Sequence, residues 1–303
     1  MRYGLTIVGH IVLDYVRRGG RVYGPNLGGP CVYAGLAARA LDAKVAVVSN
    51  VGRDFGDRRF SWLGAHGIDV DRIRIASSPT TCFRINYQDG SRTMRVTSKC
   101  EPISHRDVRD VPPSLAVHIG SVIREVSPSV AVALARRNSV VSLDAQGYVR
   151  RLASDGKVEI AGWRNSSILK KITVLKASEK ELAAIIGEKP SIRSLSKLGP
   201  DIILQSRGLK GTLLWSKEQG MFNVPSYETN VRDPTGAGDA LVGGFLASWV
   251  RTGDLLWSVA VGSAVASFVV EKIGPASFGG RRQIERRAQK IFDRIARLRK
   301  TSR

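Results

Sequence analysis

The sequence predicts an α/β protein, a three-layer αβα sandwich around a mostly parallel central sheet that carries a small β-sheet lid. Three observations predict it. Short β-rich runs alternate with helical patterns along the chain, which implies a parallel sheet covered by helices on both faces. Two segments of mixed polar and apolar residues around glycine turns break that alternation, as hairpins would. Finally, 303 residues with 43% hydrophobic side chains can build one sizeable core. No internal repeat or low-complexity linker divides the chain, so residues 1–303 read as a single domain.

Leu5–Val8 reads as the first buried strand, and Val12–Tyr23 as a hairpin turning at Gly19-Gly20. A helix over Cys31–Leu41, a strand over Lys44–Ser49 and a helix over Arg58–His66 follow. Thr81–Thr97 reads as a second hairpin, turning at Asp89-Gly90. Together the two hairpins, at about 12–24 and 81–98, suggest a small sheet projecting over strand ends, suited to act as a lid. Strands at Val117–Ile119, Val140–Leu143, Ile172–Leu175 and Ile202–Gln205 then alternate with helices at Ser127–Arg137, Ser178–Ile186 and Ser191–Leu198. In the tail, Ile284, Ala288, Ile291, Ile295 and Leu298 recur at spacings of three and four. That is one apolar stripe on a helix spanning 281–303.

The formal net charge is +21, and the terminal stretch from Arg281 holds ten Lys/Arg against two Asp/Glu. Such a stretch is either the solvated side of a docked helix or a nucleic-acid footprint. No zinc-finger spacing, aromatic-rich RNA motif or helix-turn-helix signature accompanies it, so nucleic acid is not the expected partner. Ala240–Val250 and Val259–Val270, the longest nearly apolar stretches, fall short of the roughly 20 residues that span a bilayer. The start reads as a strand and not as a secretory signal. Cys31, Cys82 and Cys100, odd in number and far apart, fit neither a disulfide framework nor a zinc cluster. A reduced, cytoplasmic protein is expected.

The chemistry is carried by Asp233-Pro234-Thr235-Gly236-Ala237-Gly238-Asp239, which runs into an apolar helix. Gly236 and Gly238 lack Cβ, so the backbone can turn tightly and an anion can approach it closely. The first N–H groups of the helix have no intrahelical acceptor, and its dipole places partial positive charge there. The result is an anion hole suited to a transferring phosphoryl group. Asp239 stands at the same helix start, where a carboxylate can take a proton from an attacking alcohol. The simpler reading is a helix N-cap formed by Thr235 or Asp239. No G-x-x-x-x-G-K-[ST] occurs, which excludes a P-loop, and no G-x-G-x-x-G supports a dinucleotide site.

In this context the string resembles the second signature of the ribokinase/PfkB family of carbohydrate and nucleoside kinases, and the resemblance covers essentially the whole chain. Gly28-Gly29 before an Ala-rich helix is similar to the family's first signature, where paired glycines approach the sugar. Asn50–Gly56 resembles its G-x-D-x-x-G turn, and Leu63–Asp69 the helix end beyond it. Ser206-Arg207-Gly208-Leu209-Lys210-Gly211 resembles the T-x-G-x-x-G turn that touches the nucleotide, with Ser for Thr. Gly262, Ser263 and Ala266, before Ile273-Gly274-Pro275, match positions that line the adenine pocket. The resemblance implies a ribokinase-like fold, ATP as donor, and Mg²⁺ carried mainly by the phosphates. It makes Asp239 the base, Gly236, Ala237 and Gly238 the anion hole, and Thr235 a further nucleotide contact.

Two departures matter. The expected N-x-x-E motif reads Ser178-Glu179-Lys180-Glu181, which keeps Glu181 to order a Mg²⁺-bound water but lacks the Asn. Tyr33 replaces an expected sugar-binding Asn, which argues against ribose as acceptor. A narrower resemblance fits these departures. Gly9-His10 with Asp14, Leu27-Gly28-Gly29 with Tyr33, and Asp144–Arg150 look like myo-inositol kinases of archaea and plants. A ring of hydroxyls calls for carboxylates and amides, and Asp14 and Gln146 are the candidates, with Gly28, Gly29 and Asp239. Arg150 faces either a phosphate or Asp144, and His10 reads as a polar residue at a strand end. A nucleoside, fructose or a sugar acid remains an alternative acceptor. A non-catalytic polyol-binding regulator and a basic nucleic-acid-binding protein are readings of other classes. An exposed lid edge could pair two copies into a homodimer.

Overall fold

The computed structural model describes residues 2–88, 91–187 and 190–298. The chain opens with strand β1 (Tyr3–Val8), then β2 (Val12–Arg18) and β3 (Arg21–Gly28), helix α1 (Pro30–Arg39) and β4 (Val45–Gly52). Helix α2 (Asp57–Ala65), β5 (Ile68–Ala76), β6 (Cys82–Gln88), β7 (Ser91–Ser98) and β8 (Ser114–Ile119) follow. Next come α3 (Pro128–Arg137), β9 (Val141–Asp144), α4 (Gln146–Val149), β10 (Arg150–Leu152), β11 (Val158–Ile160) and α5 (Ser166–Leu169). The second half holds β12 (Val174–Ser178), α6 (Glu179–Ile186), α7 (Ile192–Ser196), β13 (Ile202–Ser206), β14 (Thr212–Ser216) and β15 (Gly220–Val224). It closes with α8 (Ala237–Thr252), α9 (Leu255–Val269), α10 (Arg281–Phe292) and β16 (Ala296–Leu298).

Among the described residues the main sheet has ten strands in the order β16-β15-β14-β13-β12-β9-β8-β1-β4-β5. From β13 to β5 every neighbouring pair is parallel, while β13, β14, β15 and β16 pair antiparallel. Alternating side chains feed two cores, as a strand covered on both faces requires. Ile7, Val174 and Ile202 face the core shared with α1, α8, α9 and α10, whereas Val8, Leu175 and Ile203 face that shared with α3, α5, α6 and α7. A second, four-stranded sheet has the order β3-β2-β6-β7 and its own small core of Val12, Val16, Phe83, Ile85, Val122 and Ile123. Its first turn, Gly19-Gly20, takes positive φ at both residues, as a two-residue hairpin requires. The second expected turn, Asp89-Gly90, lies outside the described residues.

Two expectations need correction. The C-terminal helix does not run over 281–303. It ends at Phe292, and Ala296–Leu298 adds antiparallel to β15, where it satisfies backbone groups that an open edge would leave unpaired. Ile284, Ala288 and Ile291 are buried, but Leu298 is exposed. Strands β5, β14 and β15 are additions to the expected elements, and the helix end expected over Leu63–Asp69 falls at Ala65, with Ile68 opening β5.

Candidate active site

The Asp233–Asp239 segment forms the start of α8. Gly236 is the N-cap in left-handed backbone, φ 79, and a Cβ there would lie 2.3 Å from the buried ring of Tyr33. Asp233 holds the turn from below: its Oδ1 accepts the Thr235 amide at 3.0 Å. The Asp233 amide donates to the Val270 carbonyl at the end of α9, also at 3.0 Å. Thr235 shares a hydrogen bond of 2.9 Å with the Tyr87 hydroxyl, joining the turn to the four-stranded sheet. The turn is therefore tied to three elements; the Ala237 amide donates to the Pro234 carbonyl at 3.3 Å, while the amides that follow it in the first α8 turn have no helical acceptor.

Two cavities meet at this turn. The first, about 230 Å³, lies under the small sheet and is lined by Asp14, Gly29, Gln146, Thr235, Gly236 and Asp239, with Tyr33, Arg92, Arg150, Lys176 and Glu181. Phe83, Ile85, Met94, Val12 and Val122 supply its apolar wall. The second, about 380 Å³, is a mostly apolar cleft lined by Ser206, Gly208, Gly211, Ser263 and Ala266, with Leu209, Tyr227, Val231 and Leu241. Pro234, Gly238 and Ser206 line both. Gly208 fits a cradle, since a Cβ on it would meet nothing within 4 Å, and the buried Ser263 Oγ has no partner among the described residues.

Asp239, half-buried, points its carboxylate into the first cavity and accepts a hydrogen bond from Gln146 Nε2 at 3.2 Å. Burial, and then the charge of Asp144, push its carboxyl up to about 7. Asp14 is more deeply buried and is likewise pushed up to about 7, chiefly by desolvation. Asp144 Oδ1 accepts the Gln146 amide at 2.9 Å, and its Oδ2 pairs with Lys176 Nζ at 3.0 Å. Burial alone would lower the Lys176 ammonium, but Asp144 and Glu181 beside it outweigh that and raise it. Ser178, the departure from the expected Asn, caps α6 in a capping box whose other half is Glu181. That arrangement leaves Glu181 at the cavity wall.

The geometry gathers most of the residues singled out from the sequence and sets a few apart. Gly28 does not line the cavity. It makes room for Asp14, whose Oδ2 would lie 2.0 Å from a Cβ there. Gly262 does not line the second cavity either, and a Cβ on it would lie 2.3 Å from the Leu241 carbonyl where α9 packs on α8. Thr235 lines the first cavity and Ala237 the second. Arg150 donates to the Val122 carbonyl at 3.1 Å and reaches the first cavity, while the ion-pair partner of Asp144 is Lys176. His10 is buried between Thr81 Oγ1 and the Glu101 carbonyl, and burial lowers its imidazole.

Sequence reasoning missed Lys176 and the wall of the small sheet. Both left a signal. A lysine inside an otherwise apolar buried strand is anomalous by itself. Phe83, Ile85 and Tyr87, like Arg92 and Met94, alternate along their strands and so share a face.

A family model for pfkB family carbohydrate kinases matches residues 26–278. The chain is 27% identical over 295 residues to an inositol 3-kinase of Oryza sativa subsp. japonica, covering 90% of this chain and 69% of that one. It is 26% identical over 288 residues to a cytidine kinase of Thermococcus kodakarensis, covering 89% and 97%. A solved pyrophosphate-dependent kinase of the ribokinase family, complexed with a pyrophosphate analogue and myo-inositol, superposes with a TM-score of 0.80 at 22% identity, covering 93% and 99%. With the Asp233–Asp239 turn at the junction of two cavities, the match over residues 26–278 places the chain in the pfkB family of carbohydrate kinases, as an ATP-dependent kinase whose acceptor is a hydroxyl group.

Proposed function

We propose that the acceptor is a cyclic polyol, myo-inositol, converted to myo-inositol 3-phosphate. The observation that carries this reading is the make-up of the first cavity. Asp14, Gln146 and Arg150 offer acceptors and donors to a ring of hydroxyls, while Phe83, Ile85 and Met94 face them as an apolar wall suited to ring C–H groups. The similarity to a plant inositol 3-kinase supports it. A nucleoside is the second reading, favoured by the similarity to a cytidine kinase, whose own length the match nearly spans.

In this mechanism Asp14 and Gln146 hold the polyol with one hydroxyl toward the α8 turn. Asp239 accepts that hydroxyl's proton, and the amides at Gly236–Gly238 stabilise charge on the migrating group. The four-stranded sheet closes over the cavity and excludes water, which would otherwise compete as acceptor. Ser206, Gly208, Gly211, Ser263 and Ala266 receive the nucleotide, with Ala266 and its apolar neighbours against the base. Mg²⁺, when bound with the nucleotide, would supply charge neutralisation there. Glu181, at the wall of the first cavity, is the residue that would order a water of a phosphate-bound ion. Three buried, unpaired cysteines suit a cytoplasmic setting. The exposed Val22 on the edge strand β3 suits a homodimer through the small sheet, which sedimentation would read.

A coupled ADP-release assay across myo-inositol, ribose, fructose, a sugar acid and nucleosides tests the reading. Myo-inositol is expected to give the highest kcat/KM, and a nucleoside in first place overturns it.

A further inference from the structure

Lys176 carries a full charge that the Asp233–Asp239 turn did not call for. It stands in the middle of β12 with 5% of its surface exposed. A buried ammonium is costly unless it is well paired. Two sides are paired: Nζ lies 3.0 Å from Asp144 Oδ2 and 3.9 Å from Glu181 Oε2. The third side meets the glycine turn, where a Cβ built on Gly238 would lie 3.1 Å from Nζ. Gly238 lines both cavities and Lys176 lines the first, so the ammonium borders the gap through which a phosphoryl group must pass. An ammonium has three N–H donors; Asp144 takes one at hydrogen-bond distance, Glu181 stands near as a charge, and the missing side chain of Gly238 leaves room beside Nζ at the turn.

We propose that Lys176 is a catalytic residue of the phosphoryl transfer, its ammonium contacting the oxygens of the γ-phosphoryl group as that group leaves ADP. The bond from the acceptor oxygen to phosphorus forms while the bond from phosphorus to the bridging oxygen of ADP breaks, and ADP keeps that electron pair. The acceptor's proton goes to Asp239. Lys176 exchanges no proton, and Asp144 and Glu181 keep it charged. Helix-end amides supply only partial charges, whereas a whole charge in a cleft poor in water stabilises far more. The alternative is a structural lysine that merely neutralises Asp144.

The charge-balanced double variant Lys176→Met/Asp144→Asn separates these readings, because it removes the ion pair together with the lysine. The expected result is an ADP affinity like that of the parent protein, measured calorimetrically with Mg²⁺ present. The preference for a non-hydrolysable β,γ-imido analogue of ATP over ADP should fall at least tenfold. With the acceptor turned over best, kcat should drop about 10²–10³-fold, with the acceptor KM changed less than threefold. Turnover within threefold of the parent, or an unchanged analogue preference, overturns the proposal. Should that variant not fold, the unaltered protein with ¹⁵N-labelled lysine carries the test. The buried ammonium signal should move on adding the analogue but not on adding ADP, and equal responses overturn the idea. The binding arms need no acceptor, so they stand whatever the acceptor panel shows.

Discussion

At the residue scale, the state of two carboxyls governs activity and stability in opposite senses. Asp14 and Asp239 are both raised from an ordinary value of 3.8 to about 7, mainly by burial. A base works only when ionised, so kcat/KM for the acceptor should fall as pH drops below about 7. Stability runs the other way. A carboxyl raised in the folded state contributes stability that is fully present below its unfolded value and is lost as pH rises through about 7. Asp239→Asn should therefore raise the thermal midpoint at pH 8 but not at pH 4, while turnover falls about 10²–10⁴-fold and ATP still binds. A variant with near-normal kcat would remove Asp239 from the role of base. Scanning calorimetry at the two pH values reads the stability half of this prediction.

At the scale of elements, the site depends on how α8 is held. Its first turn rests on the Tyr33 ring through Gly236, and its middle rests on α1, where a Cβ on Gly243 would lie 2.3 Å from the Ala34 carbonyl oxygen. That neighbour is backbone and cannot swing aside. Gly243→Ala should cost about 1–3 kcal/mol, as overpacking does, and lower the midpoint by several degrees with the acceptor KM little changed. Gly236→Ala meets both a ring and a left-handed backbone. It should lower kcat as well as stability, because the amides it displaces are those of the proposed anion hole. Urea unfolding beside steady-state kinetics separates the two variants. The same scale explains the misread tail. Ile295 and Leu298 keep the helical spacing of Ile284 and Ile291, yet the chain after Phe292 pairs with β15. Spacing along a chain carries no record of an open sheet edge nearby.

For the whole molecule, the proposed function rests on one sheet standing over another. Phe83, Ile85 and Met94 come from strands remote from α8, yet they close the cavity that Asp239 faces. If that closure excludes water, Met94→Asp should raise the acceptor KM about tenfold or more, since it puts a charge into an apolar wall. It should also increase ATP hydrolysis without acceptor, read as ADP release in an acceptor-free assay. Unchanged hydrolysis would mean that the small sheet positions the acceptor but does not guard it.

The alternation of apolar runs determined the parallel sheet and its covering helices, since a strand buried on both faces must be apolar throughout, and the seven residues Asp233–Asp239 determined the turn that opens α8, the proposed anion site, through local backbone chemistry. Gly19-Gly20 likewise set its hairpin by local conformational need. Tertiary structure alone decided that Gly28 serves Asp14, that Gly262 serves the α8–α9 contact, and that Lys176 joins Asp144 and Glu181 beside Gly238. The physical reason is range. Periodicity, capping and turns act between residues a few positions apart, whereas a charge network and a close backbone approach exist only once distant strands and helices share one space.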